Sequence, residues 1–98
     1  MTDKIIVMVT CGSRKDARKI ARALVGQRLA ACVSEIGVPV ASTYRWKGRV
    51  ESAKEILLLI KTNKKRFAEV RDFCSRTFRH VADGKAVGKV LLAVTPPE

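Results

Sequence analysis

Three cysteines (Cys11, Cys32 and Cys74), one histidine (His80) and two methionines are the metal-binding donors of greatest interest in this 98-residue chain. Thiolates favour copper(I), and imidazole suits copper(II). The donors do not stand at zinc-finger spacing: there is no CxxC or CxxH, and an odd number of thiols argues against a disulfide framework. Cys11 is expected in an exposed loop, just ahead of a helix N-terminus whose partial positive charge would lower a thiol pKa. Cys32 and Cys74 read as small core hydrophobes. His80 falls at the end of a helix, where the dipole favours a cationic imidazole. If the chain holds a metal through its own side chains, Cys11, Cys32 and His80 are the candidate ligands; no obligatory cofactor is expected.

A second chemically suggestive stretch is Y-R-W-K-G-R-V at residues 44–50, with the only Trp of the chain. The chain has 20 Lys and Arg against 9 Asp and Glu, a formal charge of +11. Such a surface attracts anions of every size, from small ligands to nucleic acid. Sheets that read RNA carry stacking aromatics on their central strands. The two most strand-like apolar runs, residues 5–10 and 55–62, contain none. Nucleic acid is therefore not the expected partner, and a basic nucleic-acid-binding module is the third reading. Arg45, Lys47 and Lys61 are candidates to line a cleft for a small anionic ligand. Tyr44, Trp46 and Gly48 are assigned to hairpin packing and its turn. One His and nine scattered carboxylates form no recognisable acid–base pair, so no enzyme activity is expected.

The elements that position these residues follow from periodicity. Residues 5–10 read as a buried strand, and Ser13 with Asp16 as the capping box of a helix whose apolar face is Ala17, Ile20, Ala21 and Leu24. Gly26 is expected to supply the left-handed residue that ends it. A second strand begins at 29–33, is interrupted by Gly37 and Pro39 in a bend or bulge, and resumes over 40–46. Lys47-Gly48 is a turn signal, and 55–62 is a near-continuous apolar strand. Asn63 caps a second helix with Phe67, Val70, Phe73, Cys74 and Thr77 on one face, and 87–95 is a last strand. The order βαββαβ predicts an α+β, ferredoxin-like domain over residues 1–98: an antiparallel sheet, two helices on one face and an extended hairpin. Long unpaired edges favour pairing with a neighbouring copy. The apolar N-terminal run is too short for a leader or a membrane span. Free thiols fit a reducing compartment, so the cytoplasm is expected.

Three blocks, LAACV at 29–33, YRWKGRVE at 44–51 and EILLLIKT at 55–62, together with the capped helix before the first, resemble the CutA family of divalent-cation tolerance proteins. The resemblance covers roughly residues 4–80. It implies a homotrimer of ferredoxin-like subunits, similar in architecture to the PII signalling proteins. It also implies a non-enzymatic role in copper and divalent-metal tolerance. A PII-like sensor of a small anionic ligand such as a nucleotide is the alternative. Residues 81–98 depart from the family pattern: the HxYExPEI-like segment is replaced by V-A-D-G-K-A-V-G-K-V after His80, and a C-terminal helix with an aromatic is not seen before Pro96-Pro97-Glu98.

Overall fold

Two apolar runs form the centre of the sheet. The computed structural model describes residues 3–81 and 88–94, with side chains described as far as Thr77. β1 (Lys4–Cys11) and the long β4 (Arg49–Asn63) pair antiparallel, from Lys4↔Asn63 to Cys11↔Ile56. β2 (Cys32–Glu35) and β5 (Gly88–Val94) flank them in the order β2-β4-β1-β5. β3 (Val40–Trp46) pairs with the first half of β4. Helix α1 (Arg14–Gly26) joins β1 to β2; a 3-10 turn (Lys64–Arg66) and α2 (Phe67–Val81) join β4 to β5. This is the expected ferredoxin-like arrangement, with its second strand divided into β2 and β3.

The division is a bulge. Glu35 pairs with Leu58 and Val40 with Glu55, so residues 36–39 face only Ile56 and Leu57. Gly37 and Pro39 suit this position, since Pro has no N–H to give a ladder. Arg14 fastens the bulge to α1: its guanidinium donates to Glu35 Oε2 at 2.7 Å and to the Gly37 carbonyl at 2.6 Å.

Alternation along the central strands decides what is buried. Ile5, Val7, Val9 and Cys11 on β1 stand opposite Thr62, Ile60, Leu58 and Ile56 on β4. All eight are buried, and their apolar members share one core with Ala17, Ile20 and Leu24 of α1 and Val70 and Cys74 of α2. Side chains on the same strand parity share a face, so both helices cover that face.

Caps form where expected. Ser13 Oγ accepts from the Asp16 N–H at 3.1 Å, and Asn63 Oδ1 accepts from the Arg66 N–H at 3.1 Å. The end of α1 is different. Gly26 stays within the helix, and Arg28 takes the left-handed conformation with φ 59°. The Arg28 N–H donates to the Val25 carbonyl at 3.0 Å and the Leu29 N–H to the Leu24 carbonyl at 2.9 Å. This pair of bonds is a Schellman motif with Arg in the place usually held by Gly. Burial of Leu29 in the core that holds Leu24 sets the register of the cap and so puts Arg28 at the reversal. At the other end of the molecule, Lys47 at φ 50° and Gly48 at φ 78° form a two-residue turn closing the pair Trp46↔Arg49. Two consecutive positive φ values are the type I′ hairpin geometry.

Candidate functional site

Cys11 is not the exposed loop thiol that the sequence predicts. β1 continues one residue past Thr10, and Cys11 pairs with Ile56 on the core-facing row, where it is fully buried. Burial pushes its thiol from the ordinary 9.0 up to about 12, and nearby Cys74, Asp16, Glu55 and Glu35 push the same way. The expected helix N-terminus lies just ahead at Ser13; desolvation and these neighbours outweigh it. Cys74 is a core residue as expected, and burial pushes its thiol up to about 11.

Cys32 reverses the expectation in the other direction. It pairs with Lys61, on the row opposite the core, and is exposed. Parity is the reason: the core row of β2 and β4 runs through Val33 and Ile60, one position along. Cys11 and Cys32 therefore point to opposite faces, against positions of β4 five residues apart (Ile56 and Lys61), roughly 17 Å along the strand. His80 falls within α2, with its side chain outside the described residues. Among the described residues no three His, Cys, Asp or Glu side chains gather as a metal site would require.

The hairpin residues sit where the turn signal puts them. Tyr44 and Trp46 are half-buried on one face and Arg45 is exposed on the other. Lys47 lies over the Trp46 ring, Nζ to centroid 5.8 Å. Lys61 does not join Arg45 and Lys47 within one protomer. Arg45 pairs with Val50, eleven residues from Lys61 along β4, or roughly 36 Å. Lys61 instead borders an open cleft at the opposite end of the sheet, with Asp3, Lys4, Arg28 and Arg66.

One apolar surface lies outside the expected site residues. On the helix-free face, Ile6 pairs with Lys61, Met8 with Leu59 and Thr10 with Leu57. Ile6, Met8, Leu57 and Leu59 are only half-buried there. The signal was present: I-I-V-M-V and I-L-L-L-I are apolar at both parities, which marks a strand covered on both faces. No helix among the described residues is long and apolar enough to cross a membrane.

Comparison with known proteins agrees with this geometry. The family model described as CutA1 divalent ion tolerance protein matches residues 5–82. "Protein CutA" of Homo sapiens is 46% identical over 65 residues, 66% of this chain and 36% of that protein. The solved structure of the divalent cation tolerance protein (Cut A1) from Thermus thermophilus superposes with a TM-score of 0.80 at 34% identity, covering 97% of this chain and 85% of that one. That of the Archaeoglobus fulgidus protein, described as a periplasmic divalent cation tolerance protein CutA, gives 0.80 at 28% identity, with 97% and 85% covered. The chain spans less than two thirds of the length of the first curated relatives it matches. A family model aligned across most of the described fold, joined to these likenesses of sequence and structure, shows that the chain belongs to the CutA1 divalent ion tolerance protein family.

Proposed function

We propose that this chain acts in divalent-metal tolerance, chiefly toward copper, as a homotrimeric module that binds or signals and does not catalyse a reaction. The observation that carries the assembly is the helix-free sheet face. Ile6, Met8, Leu57 and Leu59 give it an apolar surface that a lone protomer leaves half-open. Contiguous apolar surface of this kind marks an interaction site. The hairpin adds a second argument. From Arg49 to Glu55, β4 pairs with β3 alone among the described strands, so both outer edges of the hairpin offer ladder positions to another copy.

Of the expected metal ligands Cys11, Cys32 and His80, the first two lie on opposite faces of one protomer, so a shared site within it is not the proposal. Cys32 is the exposed thiol, and Cys11 faces the interior of its own protomer. Three free thiols support a reducing compartment, the cytoplasm.

Two measurements test the reading. Light scattering should return three times the 10.8 kDa chain mass; a monomer at micromolar concentration would overturn the trimer. Competition titration with Cu(I) and Cu(II) should show tighter binding to the native chain than to a Cys11→Ser, Cys32→Ser, Cys74→Ser variant of unchanged circular dichroism. Equal affinities would overturn thiol-based copper binding. Trp46→Ala should raise the concentration at which the trimer dissociates; a variant that stays trimeric at the lowest concentration the native trimer survives would remove Trp46 from the interface.

A further inference from the structure

We infer that the end of the sheet away from the hairpin binds a small organic phosphate, with its charge on Arg28 and Lys61 and its apolar body against Ile5, Val25 and Leu29. The cleft there measures about 770 Å³, within the range of small-molecule sites. Its charged lining is Lys4, Arg28, Lys61 and Arg66 against one carboxylate, Asp3. Arg66 is engaged with Glu69 at 3.8 Å. The side chains of Arg28 and Lys61 have no hydrogen bond or ion pair among the described residues. Two uncompensated cations beside an apolar wall suit a dianion on an apolar body. The planar fork of Arg matches phosphate oxygens, and the Lys ammonium adds a point charge.

The cleft is held open by backbone, not by chance placement of side chains. The Ala31 N–H donates to the Lys61 carbonyl at 2.9 Å, and the Lys64 N–H to the Asp3 carbonyl at 2.8 Å. Thr62, itself buried, donates from Oγ1 to the Leu29 carbonyl at 2.6 Å. These bonds tie the α1–β2 connection, the start of β1 and the end of β4 into one frame. Arg28 supplies an independent pointer. It holds φ 59° at a position where Gly would be unstrained. Strained residues kept where an easier one would serve concentrate at ligand sites. Here the strained residue is also one of the two unpaired cations.

The test uses the full chain with a chelator present, so that its outcome is separate from that of the copper titration. Phenyl phosphate is titrated against the 15N-labelled protein, reading the amides of Ile5, Arg28, Ala31, Lys61 and Asn63. Inorganic phosphate supplies the charge without the body, and phenol the body without the charge. Phenyl phosphate should saturate, with each control binding at least roughly tenfold more weakly. Lys61→Gln should weaken phenyl phosphate roughly tenfold, and Arg45→Gln should leave it unchanged. Arg28→Gly should raise the melting temperature by a few degrees, through relief of the left-handed Arg, while it weakens phenyl phosphate to the same extent as Lys61→Gln. Loss of binding together with gain of stability is a result that mere unfolding could not produce. Absence of saturation overturns the site. So does an affinity indifferent to Arg28→Gly and Lys61→Gln, or one that falls equally in Arg45→Gln, which would mean bulk charge alone.

Discussion

The two halves of β4 lie in different surroundings. From Ile56 to Asn63 the strand has β1 on one side, with β2 alongside part of it on the other. Its alternate residues Ile56, Leu58, Ile60 and Thr62 lie under the helices. From Arg49 to Glu55 it has β3 alone among the described strands, and Val50 is 68% exposed. Both halves have complete ladder pairing on at least one edge, so hydrogen bonding does not separate them. Burial does. A two-stranded ribbon is marginal by itself in water; the hairpin must draw its order from the I′ turn, from the Tyr44 and Trp46 face, or from another copy of the chain. The body has two helices packed over one of its faces.

The contrast can be broken most forcefully at Leu58. Leu58→Ala should cost about 2–5 kcal/mol, the range for a buried Leu that leaves a cavity, and chemical denaturation would read it. A loss below about 1 kcal/mol would mean that the body is not held by this core. The next effect concerns the thiols of the body. Their pKa values are raised on folding, from 9.0 to about 12 for Cys11 and to about 11 for Cys74. Above pH 9 the unfolded chain loses these protons first, so the folded state holds more of them and its stability falls as pH climbs through 9 towards 12. Below pH 9 this contribution is constant. Iodoacetamide at pH 8 should accordingly modify Cys32 and spare Cys11 and Cys74 until the chain unfolds; rapid labelling of all three would contradict the burial. The smallest effects belong to the hairpin. Gly48→Ala should cost about 1 kcal/mol through positive φ alone, since a Cβ there meets nothing within 4 Å. Lys47→Asn should return a few tenths, because Asn tolerates the same conformation. Hydrogen exchange sharpens the comparison further: amides of β3 should lose protection in Gly48→Ala and gain it in Lys47→Asn, while those of Leu58 and Ile60 stay unchanged in both.

Local demands were legible in the sequence and register was not. Ser13, Asn63 and Lys47-Gly48 each answer a requirement set within a few residues: an orphan N–H at a helix start, or a positive φ at a turn. All three stand where expected. Cys11 and Cys32 depend on which row of β4 they meet. A one-residue change of parity exchanges core for solvent, and parity is set by pairing with a strand far along the chain. Arg28 is a similar case. Gly26 satisfied the local rule for ending a helix, yet burial of Leu29 moved the reversal to Arg28. Arg45, Lys47 and Lys61 share a charge and a stretch of sequence, but an extended strand carries Lys61 to the far end of the molecule.

By itself, then, the sequence determined the elements, their order, the amphipathic helices, the tight turn and the family blocks. These follow from local propensity, periodicity and spacing, which act over a few residues at a time. The tertiary structure alone decided which thiol is exposed and where the left-handed residue falls. It also decided that the cations divide between a hairpin tip and a distant cleft, and that the apolar helix-free sheet face is left half-open. Each of these rests on pairing between segments distant in the chain, and the free energy of burying one strand row against two helices selects that pairing.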